Sequence, residues 1–283
     1  MNRREVIKNF FCAISMIYIN RSSNALNQEK YNKIYYHELL VTNKSHNTLK
    51  DQSLWFYLPM SLWYGQSLEL IKTDASFELV KSKHGHNIIH LFFQNILPWE
   101  KRYIKVSSIV SFSNTIGNER IDVINNALTK NHTRDIELLA IKLRKNTLID
   151  SVKHIYDWVV NNMSYSNYSP GFRDIEEIWL NRVGDCTEYS QITLSLLRAV
   201  DIPARMIGGY FLPKKAYMKI IDYHNWIEIY IPNDGWVIVD TQKGLLYPNK
   251  EFYIADHIYD LEEVIIKNNN RFRIQGDFSV DFI

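Results

Sequence analysis

The stretch RVGDCTEYSQITLSLL, residues 182–197, places a cysteine at the predicted start of a helix. Gly184 permits a tight turn, and Asp185 is a residue type favoured at helix N-caps. An apolar face then recurs at helical spacing, formed by Tyr189, Ile192, Leu196, Leu197 and Val200. Cys186 is therefore expected in the first turn, where unpaired backbone N–H groups and the helix dipole favour a thiolate and can hold an oxyanion. The alternative is a small buried apolar residue, which is the usual environment of a free cysteine.

A candidate base and its orienting carboxylate lie on a predicted β-hairpin. His224 stands in the alternating segment YHNWIEIY (223–230), and Asp240 ends the apolar run GWVIVD (235–240) beyond a Pro-Asn-Asp-Gly turn. A buried carboxylate needs a partner, and an imidazole N–H would fix the tautomer so that the other ring nitrogen faces the thiol. With residues 233 and 234 at the tip, however, residue 224 pairs with 243, about 10 Å along the strand from Asp240. A bulge or an irregular loop must then shift the register.

Two structural patterns follow each other along the chain. Short strands rich in β-branched and aromatic residues predict an antiparallel sandwich, at 34–41, 53–59, 76–80, 87–93 and 104–112. Helical periodicity then appears at 135–145, 148–163 and 174–180, and strands at 204–212, 223–231 and 235–240 follow the cysteine helix. The sequence predicts an α+β fold with a signal peptide (1–25), an N-terminal antiparallel β-sandwich domain (26–118) and a second domain (119–283).

Residues 1–25 have the features of an export signal. Paired arginines at positions 3 and 4 precede an apolar run over 10–19, and Ser-Asn-Ala at 23–25 has the small residues of a cleavage site. The Arg-Arg-x-x-Ile-Lys arrangement resembles a bacterial twin-arginine signal, with an ordinary secretory signal as the alternative. The apolar run is too short to cross a hydrocarbon core of about 30 Å. We therefore expect a periplasmic or extracellular protein without a membrane span after signal removal.

Removal of this segment changes the charge and the cysteine count. It takes away four basic residues and one acidic residue, which leaves 29 basic and 30 acidic side chains. A nearly neutral chain has no electrostatic footprint for nucleic acid, so no nucleic-acid partner is expected. The segment also contains Cys12, so Cys186 is the one thiol of the expected mature chain and no internal disulfide can trap it. A single cysteine and scattered histidines lack metal-ligand spacing, and we expect neither a metal nor a cofactor.

Four blocks around these residues resemble the bacterial transglutaminase-like superfamily. They are GDCTEY (184–189), IPAR (202–205), His224-x-Trp226 and GWVxVD (235–240), and they stand in the order of that family. The resemblance covers residues 120–245, and residues 30–115 loosely resemble the β-domain that often precedes such a core. Asn225 stands where the family usually has alanine, and Thr241 where it usually has proline. The tail beyond Leu246 matches no pattern of the family.

The resemblance implies a papain-like core in which the nucleophile lies at the N-terminus of a helix packed on an antiparallel sheet. It implies Cys186 as nucleophile, His224 as base and Asp240 as orienting carboxylate, with Tyr165 as a candidate donor to the oxyanion or a packing residue. Enzymes of this kind form a thioester acyl-enzyme from a peptide-type amide and pass the acyl group to water or to an amine. The expected partner is therefore a peptide or protein substrate.

Four residues near these blocks carry weaker interpretations. Arg182 and Arg205 are interpreted as surface charges or substrate clamps, and the sequence does not distinguish the two. Trp226 and Trp236 are expected in the core of the hairpin, with a wall of the cleft as the alternative.

Several functions are compatible with this constellation. Hydrolysis is favoured over protein-glutamine cross-linking, because water is abundant and no feature marks an amine site. A non-catalytic peptide-binding module is disfavoured because all three reactive residue types are present. An arylamine acyltransferase shares the chemistry, but it uses a cytoplasmic thioester cofactor, which the export signal argues against.

Overall fold

A two-layer β-sandwich contains the first strands of the chain. The computed structural model describes residues 31–61, 65–82, 84–112, 132–167, 172–213, 216–259, 265–266 and 270–283. One sheet has the strand order β15-β1-β6-β3 and the other the order β14-β2-β5-β4, with antiparallel pairing throughout. The strands are β1 (Tyr31–Thr42), β2 (Leu49–Leu58), β3 (Gln66–Lys72), β4 (Phe77–Lys81), β5 (Asn87–Ile96), β6 (Lys101–Phe112), β14 (Phe272–Gln275) and β15 (Ser279–Phe282). Alternate apolar residues of both sheets, among them Leu39, Leu54, Leu91 and Val106, share one fully buried core.

The end of the chain returns to this sandwich. Strand β15 pairs with β1, with Phe282 opposite Leu39, and β14 pairs with β2, with Phe272 opposite Phe56. The last two strands thus form an edge of each sheet, whereas the sequence analysis had placed the whole of 119–283 in the second domain. The predicted signal (1–25) and the predicted boundary at residue 118 lie outside the described residues, so the domain division stays a prediction.

Within the described ranges, four α-helices, a third sheet and a two-stranded sheet form the rest of the fold. The helices are α1 (Arg134–Leu143), α2 (Leu148–Asn162), α3 (Ile175–Asn181) and α4 (Cys186–Ala199). The sheet has the order β12-β11-β10-β9-β13, with β9 (Ala204–Phe211), β10 (Tyr223–Ile231), β11 (Gly235–Asp240), β12 (Leu245–Leu246) and β13 (Tyr253–Ile258). Leu196 and Leu197 of α4 pack with Ile227 and Val239 of the sheet in one buried core, which confirms the predicted α+β class. None of the helices in the described ranges is long and apolar enough to cross a bilayer.

The edge strand β13 is fixed to the sandwich as well as to its own sheet. The backbone N–H of Met60 donates to the carbonyl of Ala255 at 2.8 Å. The Gln66 side chain also donates to this carbonyl at 2.8 Å and accepts from the Ala255 N–H at 3.1 Å. Because Gln66 is buried, water does not compete for these bonds. The position of β13 therefore depends on both parts of the molecule.

Candidate active site

Cys186 is the first residue of α4, and two acidic side chains cap this helix. Asp185 is the N-cap, and its Oδ1 accepts from the Thr187 N–H at 2.8 Å. Glu188 Oε2 in turn accepts from the Asp185 N–H at 2.7 Å, which completes a capping box. The box fixes the backbone of the first turn, where the sequence predicts the nucleophile. Cys186 as a whole residue is partly exposed rather than buried.

The buried side chain of Glu188, in the first turn of α4, explains why a glycine precedes the N-cap residue Asp185. Glu188 is fully buried and forms an ion pair with Arg173, whose Nη2 lies 3.1 Å from Glu188 Oε2. Burial raises the pKa of Glu188, although the Asp185 N–H and the Arg173 charge oppose the shift. A Cβ at Gly184 would lie 2.3 Å from the Glu188 Cβ, so only glycine permits this approach. Glu188 is therefore part of the structural support of the thiol's turn.

A three-residue loop sets the register of the hairpin. Ile231 pairs with Gly235, which leaves residues 232–234 as the loop, and the pairing then runs without a bulge to Ile227 and Val239. The two-residue tip assumed from the sequence was wrong by one position. In the observed register, Asp240 falls opposite residue 226. Residue 226 is two positions after His224 on β10, so Asp240 and His224 lie on the same face of the sheet. Side chains at such diagonal positions are within reach of each other, so the extra bulge that the sequence analysis required is unnecessary.

His224 joins the carboxylate to the sulfur. Its Nε2 lies 2.7 Å from Asp240 Oδ2, and the Cys186 side chain is close enough to the ring to contribute to its pKa. Because Nε2 is engaged by the carboxylate, Nδ1 is the nitrogen available to the sulfur. Burial lowers the pKa of His224, but the charge and hydrogen bond of Asp240, assisted by Cys186, outweigh it and raise the pKa to about 9. The imidazole therefore holds a proton beside the sulfur at neutral pH.

Asp240 is held by two further donors that sequence patterns did not indicate. The Tyr253 hydroxyl donates to Oδ2 at 2.8 Å, and the backbone N–H of Lys243 donates to Oδ1 at 3.0 Å. Burial raises the pKa of Asp240, but His224 and these donors hold it below its ordinary value. Tyr253 lies in the tail for which the sequence offered no pattern, and a backbone donor such as Lys243 has no residue signature.

The site thus combines a partly exposed cysteine, a protonated imidazole and a charged carboxylate. This set can supply a nucleophile, a proton donor that becomes a base, and a group that stabilises the positive ring. In the part of the chain that the structure describes, no group of three or more His, Cys, Asp or Glu side chains is arranged to hold a metal ion.

Residues 139–241 match the family model of the transglutaminase-like superfamily. The match includes Cys186, His224 and Asp240. The chain carries a transglutaminase-like domain.

Two bacterial proteins are similar to parts of the chain. The uncharacterized protein YebA of Bacillus subtilis is 30% identical over 132 residues, which are 40% of this chain and 18% of YebA. The protein-glutamine gamma-glutamyltransferase of Pseudomonas aeruginosa is 37% identical over 65 residues, which are 21% of this chain and 10% of that enzyme. The chain therefore spans less than a fifth of either relative.

A solved structure agrees with the fold over most of its length. The crystal structure of a "putative cysteine protease" from Cytophaga hutchinsonii superimposes with a TM-score of 0.58 and covers 89% of this chain and 90% of that chain. The two sequences are 16% identical, so the agreement concerns the fold alone. The similarity extends beyond the transglutaminase-like domain into the β-sandwich.

Tyr165 lies beside the nucleophile helix of the transglutaminase-like domain. Its two-residue strand β7 (Ser164–Tyr165) pairs in parallel with β8 (Val183–Gly184). The N–H of Ser166 donates to the Gly184 carbonyl at 2.9 Å, so this backbone borders the turn before Cys186. The Tyr165 side chain is 59% exposed, which argues against a packing role. Its function as an oxyanion donor stays a prediction.

Arg205 is neither a surface charge nor a substrate clamp. It is buried, and its Nε and Nη2 donate to Glu228 Oε2 at 2.8 and 2.6 Å. Its guanidinium also lies 4.0 Å from the centroid of the Trp236 ring. These contacts cross the sheet and face away from solvent. Arg205 therefore stabilises the sheet of the domain.

Arg182 forms packing contacts at the end of α3. Its guanidinium lies 5.3 and 5.1 Å from the ring centroids of Trp158 and Trp179, which stack on each other. Cation–π contacts of this length favour a fixed side chain. Arg182 thus connects α2 with α3, a role that the sequence did not indicate.

Trp226 supports the imidazole from within the core. It is 1% exposed, and its ring lies 6.3 Å from the His224 ring at an interplanar angle of 23°. The Tyr253 ring lies 5.0 Å away on an edge-to-face contact. Trp226 is therefore a core residue of the hairpin, as expected, and it limits the orientations open to His224.

Proposed function

We propose that this protein is a thiol-dependent hydrolase or acyltransferase acting on peptide-type amides. Cys186 is the nucleophile, His224 the general acid and base, and Asp240 the group that orients the imidazole. The observation that carries the proposal is the buried His224–Asp240 hydrogen bond of 2.7 Å, with Cys186 at the start of α4 close enough to the imidazole to contribute to its raised pKa. The partial exposure of Cys186 supports it, because a fully buried cysteine could not meet a substrate.

The reaction begins with a proton on His224 and negative charge on the sulfur of Cys186. The sulfur attacks the amide carbonyl carbon, and the imidazolium gives its proton to the leaving amine as the C–N bond breaks. This step leaves a thioester on Cys186 and a neutral imidazole. His224 then takes a proton from water or an amine as that molecule attacks the thioester. The thiolate leaves, and the starting protonation state returns.

The oxyanion of the tetrahedral intermediate needs donors near the sulfur. The capping box engages the N–H groups of Asp185 and Thr187, whereas the N–H of Cys186 lies at the open end of the helix. We assign this N–H as the first donor to the oxyanion, with Tyr165 as the candidate second donor. A Tyr165→Phe variant tests the second assignment, since it keeps the ring and removes the hydroxyl. A fall in kcat with unchanged KM supports it, and an unchanged kcat contradicts it.

Hydrolysis is the favoured outcome, and cross-linking of glutamine side chains is the second candidate. The similarity to the gamma-glutamyltransferase of Pseudomonas aeruginosa favours cross-linking, although it covers only 21% of this chain. The two outcomes separate when the purified protein is assayed in parallel for peptide hydrolysis and for incorporation of a labelled amine into a Gln peptide. Labelled amine joined to the peptide in preference to hydrolysis would overturn our choice.

A thiol-directed acyl probe tests catalysis against a non-catalytic peptide-binding module. We expect wild-type Cys186 to react faster than a free thiol near neutral pH, and His224→Ala to lose most of that advantage. His154→Ala is the matched control, because His154 lies on the exposed side of α2. Equal rates for wild type, His224→Ala and a free thiol would favour the binding module.

We also propose that the protein acts in the periplasm or outside the cell. The support is the charge and apolar pattern of residues 1–25. Replacement of both Arg3 and Arg4 by Lys should retain an unprocessed chain in the cytoplasm, measured by cell fractionation. A wild-type chain found uncleaved in the cytoplasm would contradict the proposal and reopen the arylamine acyltransferase.

A further inference from the structure

A second hydrogen-bonded chain reaches the nucleophile helix from the other face of the sheet. Asn225 follows His224 on β10, and its Nδ2 donates to Thr187 Oγ1 at 3.0 Å. Its Oδ1 accepts from the Tyr259 hydroxyl at 3.0 Å. Asn225 is 2% exposed, and its bond to Thr187 is buried, whereas its bond to the partly exposed Tyr259 is half-buried. The chain therefore connects the residue after the nucleophile with the segment that follows β13.

A β-bulge brings Tyr259 to this face. The pairing of β13 with β9 shifts between Ala255 and His257. On β9, Gly209 pairs with both His224 and Ala255, whereas Gly208 pairs with both Asn225 and His257. Residues 255 and 257 would share a face in a regular strand, and the bulge separates them. Tyr259, two residues further on, thus lies on the Asn225 face.

The Tyr259 ring is held by its surroundings. Its backbone N–H donates to the Met206 carbonyl at 3.0 Å, and its hydroxyl lies 3.2 Å from the Tyr223 hydroxyl. The ring contacts His257 and Phe172, with centroids 4.5 and 5.3 Å away. Burial raises the pKa of Tyr259 to about 12, with a contribution from the nearby Cys186 charge. The phenol therefore keeps its proton at neutral pH and remains a donor to Asn225.

We propose that Tyr259 is a positioning residue that acts through Asn225 and Thr187 on the first turn of α4. It holds this turn so that the Cys186 sulfur faces His224. The inference rests on the proposed function, and it starts from a residue that the family model does not cover. Tyr259 lies outside the matched range 139–241, and Asn225 stands where the resemblance implies alanine.

The central experiment removes the hydroxyl of Tyr259 and keeps its ring. We expect Tyr259→Phe to lower kcat and the alkylation rate of Cys186 by about 3- to 10-fold, the effect of one hydrogen bond. KM should stay near the wild-type value, and the midpoint of thermal unfolding should fall by about 2–4 °C at most, the effect of one lost hydrogen bond. Tyr103→Phe is the matched control, since Tyr103 is a half-exposed phenol of the sandwich. An unchanged alkylation rate in Tyr259→Phe overturns the proposal.

A double-mutant cycle tests the route through Asn225. The variant Asn225→Ala should reduce the alkylation rate to a similar extent as Tyr259→Phe. The double variant should then be no slower than either single variant, because both break the same chain. Independent, additive losses would show that Tyr259 does not act through Asn225.

Amide hydrogen exchange separates this proposal from the proposed function. In Tyr259→Phe, the amides of the first turn of α4 should exchange faster than in wild type, whether or not wild type hydrolyses a peptide. Faster exchange with an inactive wild type would refute the enzyme and keep the positioning role. Unchanged exchange in an active enzyme would refute the positioning role alone.

Discussion

Two buried ion pairs lie on one face of strand β10, and only one of them belongs to the candidate site. His224 bonds to Asp240 of β11 at 2.7 Å. Four residues further along, Glu228 accepts from Arg205 of β9, whose Nη2 lies 2.6 Å away. All four residues are buried, and each pair joins neighbouring strands. Burial and contact geometry therefore do not distinguish a reactive pair from a structural one.

The difference lies in the cation and in what stands beside it. An arginine guanidinium does not take part in proton exchange at ordinary pH, and that of Arg205 is covered by Trp236. The imidazole of His224 can lose its proton, and the Cys186 side chain, on a partly exposed residue, is close enough to influence its pKa. A buried ion pair between a carboxylate and a cation thus indicates a catalytic site only under one condition. Its cation must be able to exchange a proton with a group that a substrate can reach.

The sharpest test of this comparison removes the sulfur. We expect Cys186→Ala to lower kcat by about 10⁴-fold or more, the scale seen when a catalytic nucleophile is deleted. The His224–Asp240 pair stays intact in this variant, so the free energy of unfolding should change little. Peptide hydrolysis and thermal unfolding measure the two effects. Activity within tenfold of wild type would exclude Cys186 as the nucleophile.

The next largest effect is expected from the orienting carboxylate. Asp240→Asn should reduce kcat by about 10²- to 10⁴-fold, because an amide can stabilise the wrong tautomer of His224 and carries no charge. Asp234→Asn, on the exposed hairpin loop, is the matched control. A steady-state rate that is equal in both variants would remove Asp240 from the mechanism.

The structural pair should respond in stability rather than in chemistry. Arg205→Met leaves Glu228 buried without its cation, and we expect the free energy of unfolding to fall by about 3–5 kcal/mol. The double variant Arg205→Met/Glu228→Leu should recover most of this loss, since no unpaired charge remains. Urea unfolding measures both. A comparable loss in the double variant would show that packing, and not the charge, is responsible.

The two pairs should also differ in their dependence on pH. The pKa of His224 is raised from 6.5 to about 9, so its pair stabilises the fold fully below pH 6.5 and loses this contribution as pH rises to about 9. The free energy of unfolding of wild type, measured in urea, should therefore be lower at pH 9.5 than at pH 6 by up to about 3 kcal/mol because of this pair. In His224→Gln the difference should largely vanish, whereas in Arg205→Met it should persist.

Asp240 should contribute at the opposite end of the pH range. Its pKa is held below the ordinary 3.8, so its contribution is present above that pH and is lost as pH falls below it.

The smallest effect is expected from the hydroxyl that supports Asp240. Tyr253→Phe removes one donor from the carboxylate, and we expect a loss of about 0.5–1.5 kcal/mol in the free energy of unfolding. The pKa of Asp240 should rise towards its ordinary value, so activity should be lost at a higher pH on the acid side than in wild type. A pH profile of kcat/KM measures this shift, and an unchanged acid limb would assign Tyr253 to packing alone.

Local patterns in the sequence predicted the four helices and the strands β9, β10 and β11, and they indicated the candidate site residues, but they missed β3 and every strand of the tail. The capping residues and the apolar face that start α4 at Cys186 lie within a few positions of one another, as do the alternating residues of β10 and β11. Interactions over such short separations depend little on the rest of the chain. The residue types of a thiol site could therefore be named in advance, together with the α+β class.

The tertiary structure decided how these elements meet. The hairpin loop has three residues rather than two, and this one residue sets the diagonal contact between His224 and Asp240. Other contacts join residues that are distant in sequence: Tyr253 donates to Asp240, Arg205 pairs with Glu228, and β15 returns to the sandwich. The bulge before Tyr259 changes the alternation of its strand. Such contacts depend on strand register and on which surfaces pack together. A pattern of neighbouring residues contains neither, so the sequence named the chemical groups and the folded chain set the distances between them.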